Sequence, residues 1–211
     1  MTMRLNFSQN RWANLFSFIE NELTLTSAYN DLVVKYSESH RYYHTVEHID
    51  KCLNMLEEVS DLVDDSFSLE VAIWFHDVVY DPLKKDNEEM SAKYAQKLLS
   101  ALQVDSDKIS IIYDLIVLTQ HSKAPETNDE KFLLDIDVSI LGADADSYMY
   151  YENNIRKEYI QVSDAEYREG REKVLRMFLD SDYIYNTDYF RERFEQQARV
   201  NIAEALRKLK A

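Results

Sequence analysis

The chain has 211 residues, 45% of them hydrophobic, which suffices for one sizeable core, so a single domain is expected. Only two glycines and two prolines occur, far below the usual ~7% and ~5%; strand-rich folds need both at their turns, so the scarcity predicts an all-α protein of helices joined by short polar links. A formal net charge of −15 and a pI near 4.7 repel polyanions and argue against a nucleic-acid polymer or an anionic membrane as partner, while a small phosphorylated ligand stays admissible because a bound divalent cation inverts the field locally.

The first twenty residues, MTMRLNFSQNRWANLFSFIE, contain no uninterrupted apolar stretch, and no segment approaches the ~18 apolar residues of a membrane span. Cys52 stands alone, which leaves no disulfide framework and no cysteine-rich zinc module. A soluble cytoplasmic protein is the expectation, with room for a homo-oligomer. No repeat, low-complexity tract or linker is present. The polar clusters TLTSAYND, SDLVDDSFS, DPLKKDNEE, VDSD, HSKAPETND, GADADS and DSDYIYNTD break the helical spacing and predict about eight or nine helices. Asp86, Asp105, Thr127 and Thr187 are N-cap candidates.

In chain order, the first chemistry-bearing stretch is RYYHTVEHID, residues 41 to 50. It matches the H-x-x-E-H pattern of inverted zinc proteases, with His44 and His48 as ligands, Glu47 as base and Glu126 as a further ligand downstream. A helix over residues 44 to 58 would put His44 and His48 on one face, one turn apart, followed after His48 by Cys52 and Leu56. The protease family is a larger mixed α/β architecture, and this pattern leaves the next segment unexplained.

That segment, LEVAIWFHDVVYDP, runs apolar from Leu69 to Phe75, then carries His76 and Asp77 before Asp81 and Pro82 end the element. An ionisable pair in such a run is costly unless compensated, and a divalent cation compensates it, since imidazole and carboxylate are ordinary ligands. Adjacent helical residues point ~100° apart, yet an ion in a groove between helices can meet both. In YDPLKKDNEEMSA, Lys84 or Lys85 can reach a phosphate and Glu88 can orient a bound water or a histidine; the plainer reading is an N-cap with an acidic first turn. His121 closes the run IIYDLIVLTQH.

Two aspartates compete in KFLLDIDVSILG. Asp135 and Asp137 lie ~200° apart around a helix, so both cannot face one ion. Asp137 shares the face of Leu133, Ile136, Ile140 and Leu141 and is the favoured fourth ligand. Further on, the tyrosines of SYMYYENNIRKEY suit a bridge between core and surface better than a platform for bases. A last helix over about residues 188 to 209 carries Phe190, Phe194, Ala198, Ile202, Leu206 and Leu209 on one stripe, fit for scaffold or for a dimer face.

The ordered set His48, His76-Asp77, Asp137 resembles the H…HD…D signature of the HD-domain metal-dependent phosphohydrolases. YYHTVEHI, WFHDVVYDP, DNEEMSA and DIDVSILG look like the bacterial branch described as predicted metal-dependent HD phosphohydrolases. The resemblance spans roughly residues 40 to 142, with a helical extension over about 143 to 211. It implies an α-helical fold around one or two divalent ions (Mn, Mg, Fe, Co, Ni or Zn) and hydrolysis of a phosphate ester or nucleotide by a metal-activated water, whose pKa can fall from 15.7 to about 7. Phosphomonoesterase, phosphodiesterase and nucleotidase activities remain open. Asp77 would then ligate and accept the proton of the attacking water. Arg41 could hold a phosphate, and His44 and His121 could contact phosphate, protonate a leaving oxygen, complete a second metal site or serve only as support. The rival is a non-catalytic helical protein that binds a metal or nucleotide, which uses the same residues.

Overall fold

The computed structural model describes residues 5 to 210. Among the described residues the chain forms ten α-helices, two short 3-10 helices and no strand: α1 (Gln9–Leu15), α2 (Glu22–Lys35), α3 (Val46–Glu58), a 3-10 turn (Ser60–Leu62), α4 (Ser66–Phe75), α5 (Asn87–Ala101), α6 (Ser106–Leu118), α7 (Asn128–Asp137), a second 3-10 turn (Val138–Gly142), α8 (Ala145–Glu158), α9 (Asp164–Leu179) and α10 (Asp188–Leu209). The all-α expectation holds, and the helix count exceeds the expected eight or nine. No described helix is long and apolar enough to cross a membrane.

The boundaries follow from local chemistry. Asp105 and Thr127 cap α6 and α7, the latter in a reciprocal capping box with Glu130, and Thr187 caps α10 through Phe190 N. Asp86 precedes α5 but caps nothing with its side chain; Asn87 instead braces Asp81 through the backbone at both ends of its amide. TLTSAYND is not a break. It lies inside α2, whose start is set by Asn21 accepting from Thr24 N. Conversely, α8 and α9 separate at residues 159 to 163 without glycine or proline, and Ser163 caps the new helix.

α4 is the centre of the molecule. Seven of its ten residues, Ser68, Leu69, Val71, Ala72, Ile73, Trp74 and Phe75, are buried, and it packs against α3, α5, α6 and α7. A helix apolar on every side is stable only in such a position, where each large side chain contributes ~1.5–3 kcal/mol. The N-terminal pair α1 and α2 covers one end of it, with Trp12 against Trp74 and the Tyr36 hydroxyl donating to the Trp74 carbonyl at 2.9 Å.

In the C-terminal part, α10 packs on the Val138–Gly142 turn and on α8 and α9. Its Phe190, Ala198, Ile202 and Leu206 are buried in that packing, so most of the stripe serves as scaffold within the chain. Gly142 permits the approach: a Cβ there would sit 2.5 Å from Phe194 Cβ and 2.8 Å from the Phe194 carbonyl oxygen.

Candidate metal centre

Three helices deliver the candidate ligands at their ends. His48 stands in the first turn of α3, capped by Thr45. His76 is the C-cap of α4, its N–H donating to the Ala72 carbonyl, and Asp77 lies in the turn beyond. Asp137 is the last residue of α7. The helix therefore ends at His76 and not at Asp81 and Pro82, and Asp77 is free of helical spacing, so it can turn back toward its neighbour.

Arg41 braces the turn that follows α4. Its guanidinium donates to the carbonyls of Asp77 at 2.7 Å, Val78 at 3.1 Å and His44 at 3.0 Å, and to the Glu38 carboxylate at 3.1 Å. The carbonyls Arg41 takes lie beyond the helix, whose own last carbonyls go elsewhere: Ile73 to the His76 ring, Trp74 to the Tyr36 hydroxyl and Phe75 to Val78 N. Its side chain has no exposed surface, so the expected role as a phosphate hold is corrected: Arg41 is a clamp between the 38–44 segment and the end of α4.

Each of the two imidazole Nε2 atoms lies close to both carboxylates. His76 Nε2 lies 3.1 Å from His48 Nε2, 3.1 Å from Asp77 Oδ2 and 3.4 Å from Asp137 Oδ1. From His48 Nε2, Asp77 Oδ2 is 3.5 Å and Asp137 Oδ1 3.3 Å away. Ligands ~2.1 Å from a common ion stand ~3.0 Å apart at neighbouring corners of an octahedron and ~3.4 Å apart in a tetrahedron. The spacing fits, and His48, His76 and Asp137 form a cluster able to hold a metal ion. A second observation supports it: His76 Nδ1 is 2.9 Å from the Ile73 carbonyl, which can only accept, so Nδ1 carries a proton and Nε2 is the nitrogen that points into the cluster.

Electrostatics agree. Burial raises the cost of charge on Asp77 and Asp137, but the surrounding imidazoles outweigh it and hold both carboxyls below their ordinary range. Burial also opposes charge on His76, yet Asp77 and Asp137 lift it well above the usual imidazole value; His48 is lowered by burial and by His76. Two carboxylates and two histidines thus share positive charge in a largely buried site, which a divalent cation would supply without protons.

The remaining expected residues surround this centre. His121 Nε2 lies 3.4 Å from Asp137 Oδ2, brought there by a left-handed backbone with φ 54°, a conformation rare outside glycine and costly by ~1 kcal/mol or more. Asp135 faces away: buried, it accepts from the backbone and side chain of Asn186 and of Thr187 at 2.7–2.9 Å, tying α7 to the start of α10. Choosing Asp137 over Asp135 is consistent with that geometry. His44 precedes the Thr45 cap and is not on α3, so the one-turn pairing with His48 is corrected; the two rings are 5.9 Å apart between centres. Glu47 and Glu126 are exposed, and the protease pattern does not close around an ion.

One wall of a 490 Å³ cleft is made by His44, His76, Asp77, His121 and Asp137, with Lys84 and Glu88 at its side. Lys85 is exposed and not part of it. Burial raises the Glu88 carboxyl above its ordinary range, and the charges of Asp77 and Asp137 add to that. The opposite wall comes from α8 and α9: Tyr151, Ile155, Tyr167, Arg171, Val174 and Phe178. The tyrosines of α8 divide between core and surface, Tyr148 and Tyr151 buried and Tyr150 exposed.

Two residues escaped the sequence reading. Arg171 is buried and bonded to Glu152 and the Tyr151 hydroxyl, which keeps the far wall in place. Glu158, also buried, accepts from three consecutive backbone N–H groups, Tyr42, Tyr43 and His44, and from the His44 ring and the Tyr80 hydroxyl. A signal existed: Tyr148, Tyr151, Ile155 and Glu158 follow the 3-4-3 spacing of one buried helix face, and an acid on that face demands partners. Despite burial, those partners hold the Glu158 carboxyl down to about 2. Burial likewise opposes charge on His44, but Asp77 and Glu158 raise its value. Comparison of the chain with known protein families, with curated proteins and with solved structures finds no match.

Proposed function

We propose that the chain is a metal-dependent phosphohydrolase of the HD-domain kind, acting on a small phosphorylated molecule such as a nucleotide or another phosphate ester. The observation that carries this reading is that the Nε2 atoms of His48 and His76 lie 3.1 Å apart and each stands 3.1–3.5 Å from a carboxylate oxygen of Asp77 and of Asp137, with His76, Asp77 and Asp137 on the wall of an open cleft. His48, His76, Asp77 and Asp137 would hold a divalent ion, with Mn, Mg, Fe, Co, Ni and Zn all compatible with the donor set. Bound there, it would acidify water and polarise a phosphoryl oxygen.

The chain's own residues do the rest. Asp77 accepts the proton of the attacking water, and His44 gives a proton to the leaving oxygen. Lys84, exposed and only 4.0 Å from Asp81, is long enough to swing onto a phosphate. His121 holds the second oxygen of Asp137 and so fixes the first. The openness of the cleft favours catalysis over a structural ion, since structural sites are closed by protein ligands.

The test is to measure metal content and hydrolysis of nucleotides and simple phosphate esters with each ion added, in wild type, His48→Ala, His76→Ala and Asp77→Ala. Metal-dependent turnover lost in all three variants is the expected result. Metal bound without turnover would favour the non-catalytic binding protein, and unchanged stoichiometry in the variants would dismiss the ligand set.

A further inference from the structure

The C-terminal part of the chain supplies one residue whose geometry reaches the reacting end of the cleft. Glu158, the last residue of α8, has a side chain with no exposed surface. One of its oxygens, Oε1, accepts from Tyr42 N and Tyr43 N at 2.7 Å and from His44 N at 3.0 Å. The other, Oε2, is 2.7 Å from His44 Nδ1 and accepts from the Tyr80 hydroxyl at 2.8 Å. An ionised carboxylate can only accept, so His44 Nδ1 bears a proton. The ring is also held sterically, 4.3 Å from the Tyr80 ring and 5.1 Å from the Tyr43 ring between centres. Its Nε2 has no hydrogen-bond partner among the described residues, and His44 lines the cleft beside His76, Asp77 and Asp137.

We propose that Glu158 is the positioning residue of this site: it fixes the 42–44 segment and locks the His44 ring with Nδ1 protonated, so that Nε2 is the nitrogen offered to the leaving oxygen of a phosphate ester. The inference rests on the phosphohydrolase reading for its chemical step and on geometry alone for the orientation. In that step the water oxygen bonds to phosphorus, the phosphorus–oxygen ester bond breaks, and the departing oxygen takes the Nε2 proton as the free alcohol. The water's proton passes to Asp77 and returns through solvent to Nε2. The Nδ1 proton stays on the ring, directed at Glu158, throughout. A carboxylate from α8 thereby makes the helices after residue 143 part of the working site and not an appendage.

Leaving-group dependence separates this role from a structural one. Phenol is a poor leaving group and needs the proton; p-nitrophenol leaves well without it. In the metal-loaded Glu158→Gln variant, kcat for phenyl phosphate should fall by about 100-fold or more, while kcat for p-nitrophenyl phosphate falls less than ~5-fold, with metal content and KM for both unchanged. The amide oxygen of the substituted side chain can still accept the three backbone N–H groups, so the fold has reason to survive. Equal losses on the two esters would reduce Glu158 to scaffold, and no loss on either would overturn the proposal.

Histidine ring nitrogen spectra supply a measurement that needs no activity. In the wild-type chain the neutral His44 ring should carry its proton on Nδ1, and in Glu158→Gln that preference should be lost; a wild-type ring protonated on Nε2 alone overturns the orientation. Wild-type protein that hydrolyses neither ester with any ion would overturn the hydrolase reading and the chemical step together. The ring spectra would then decide independently whether Glu158 orients His44.

Discussion

Arg41 illustrates how a residue's chemical type and its position can point in different directions. A fork-shaped cation next to a histidine cluster suits phosphate, but the fold uses the same fork to hold two backbone carbonyls just past α4 and the His44 carbonyl ahead of α3. The two roles predict different mutants. Arg41→Ala leaves those carbonyls without their partner and frees the half-buried Glu38, so stability should fall by about 2–4 kcal/mol, read by chemical denaturation, and metal affinity should fall with it because Asp77 loses its anchored backbone. A phosphate-binding arginine would instead raise KM and leave the unfolding midpoint in place. His48, His76 and Asp137 were legible from sequence because each is a polar residue on a face otherwise marked by apolar spacing. Arg41 was not, because nothing local in RYYHTVEH says that the far end of α4 will lie within reach.

Elements were legible where side chains cap helices and obscure where tertiary packing decides. Asp105, Thr127 and Thr187 announced three helix starts correctly, whereas the polar TLTSAYND is helical because Leu25, Ala28 and Leu32 are buried on its inner side. Two junctions between elements give measurable consequences. Gly142→Ala would drive a methyl into the Phe194 backbone, where the neighbour is a carbonyl and cannot rotate aside, so α10 should be displaced and stability reduced by ~1–3 kcal/mol, seen as a lower unfolding midpoint. The Glu158 junction gives a pH dependence. Its folded value of about 2 lies below the ordinary 4.5, so between those values the unfolded chain binds the extra proton and stability rises with pH. The contribution, on the order of 3 kcal/mol, is complete above pH ~4.5 and is lost as the pH falls toward ~2. Unfolding free energies of wild type and Glu158→Gln measured from about pH 5 downward should therefore converge; parallel curves would show that the carboxylate is not held by its five donors.

At the scale of the whole molecule, the candidate ligands come from α3, α4 with its following turn, and α7, segments that are distant in sequence and are joined in the core only by packing. An ion held by all three binds the folded chain and not the unfolded one, because no unfolded conformer brings His48, His76, Asp77 and Asp137 together. Binding is then stabilisation: at a free metal concentration of 100 times the dissociation constant it adds ~2.7 kcal/mol, and for a chain of this size that corresponds to a rise in Tm of ~5–11 °C. The net charge of −15 makes some general stabilisation by cations unavoidable, because screening relieves self-repulsion. Specificity follows from the variants. In His76→Ala the exterior charge is untouched, so a screening effect would persist and a site effect would vanish. Thermal scans of chelator-treated protein with Mn, Ni or Zn added should show a Tm rise that saturates with concentration in wild type, is absent in His76→Ala, and survives in a surface variant such as Glu47→Gln. A rise of equal size in wild type and His76→Ala would mean that the four groups at the end of α4 do not bind the ion.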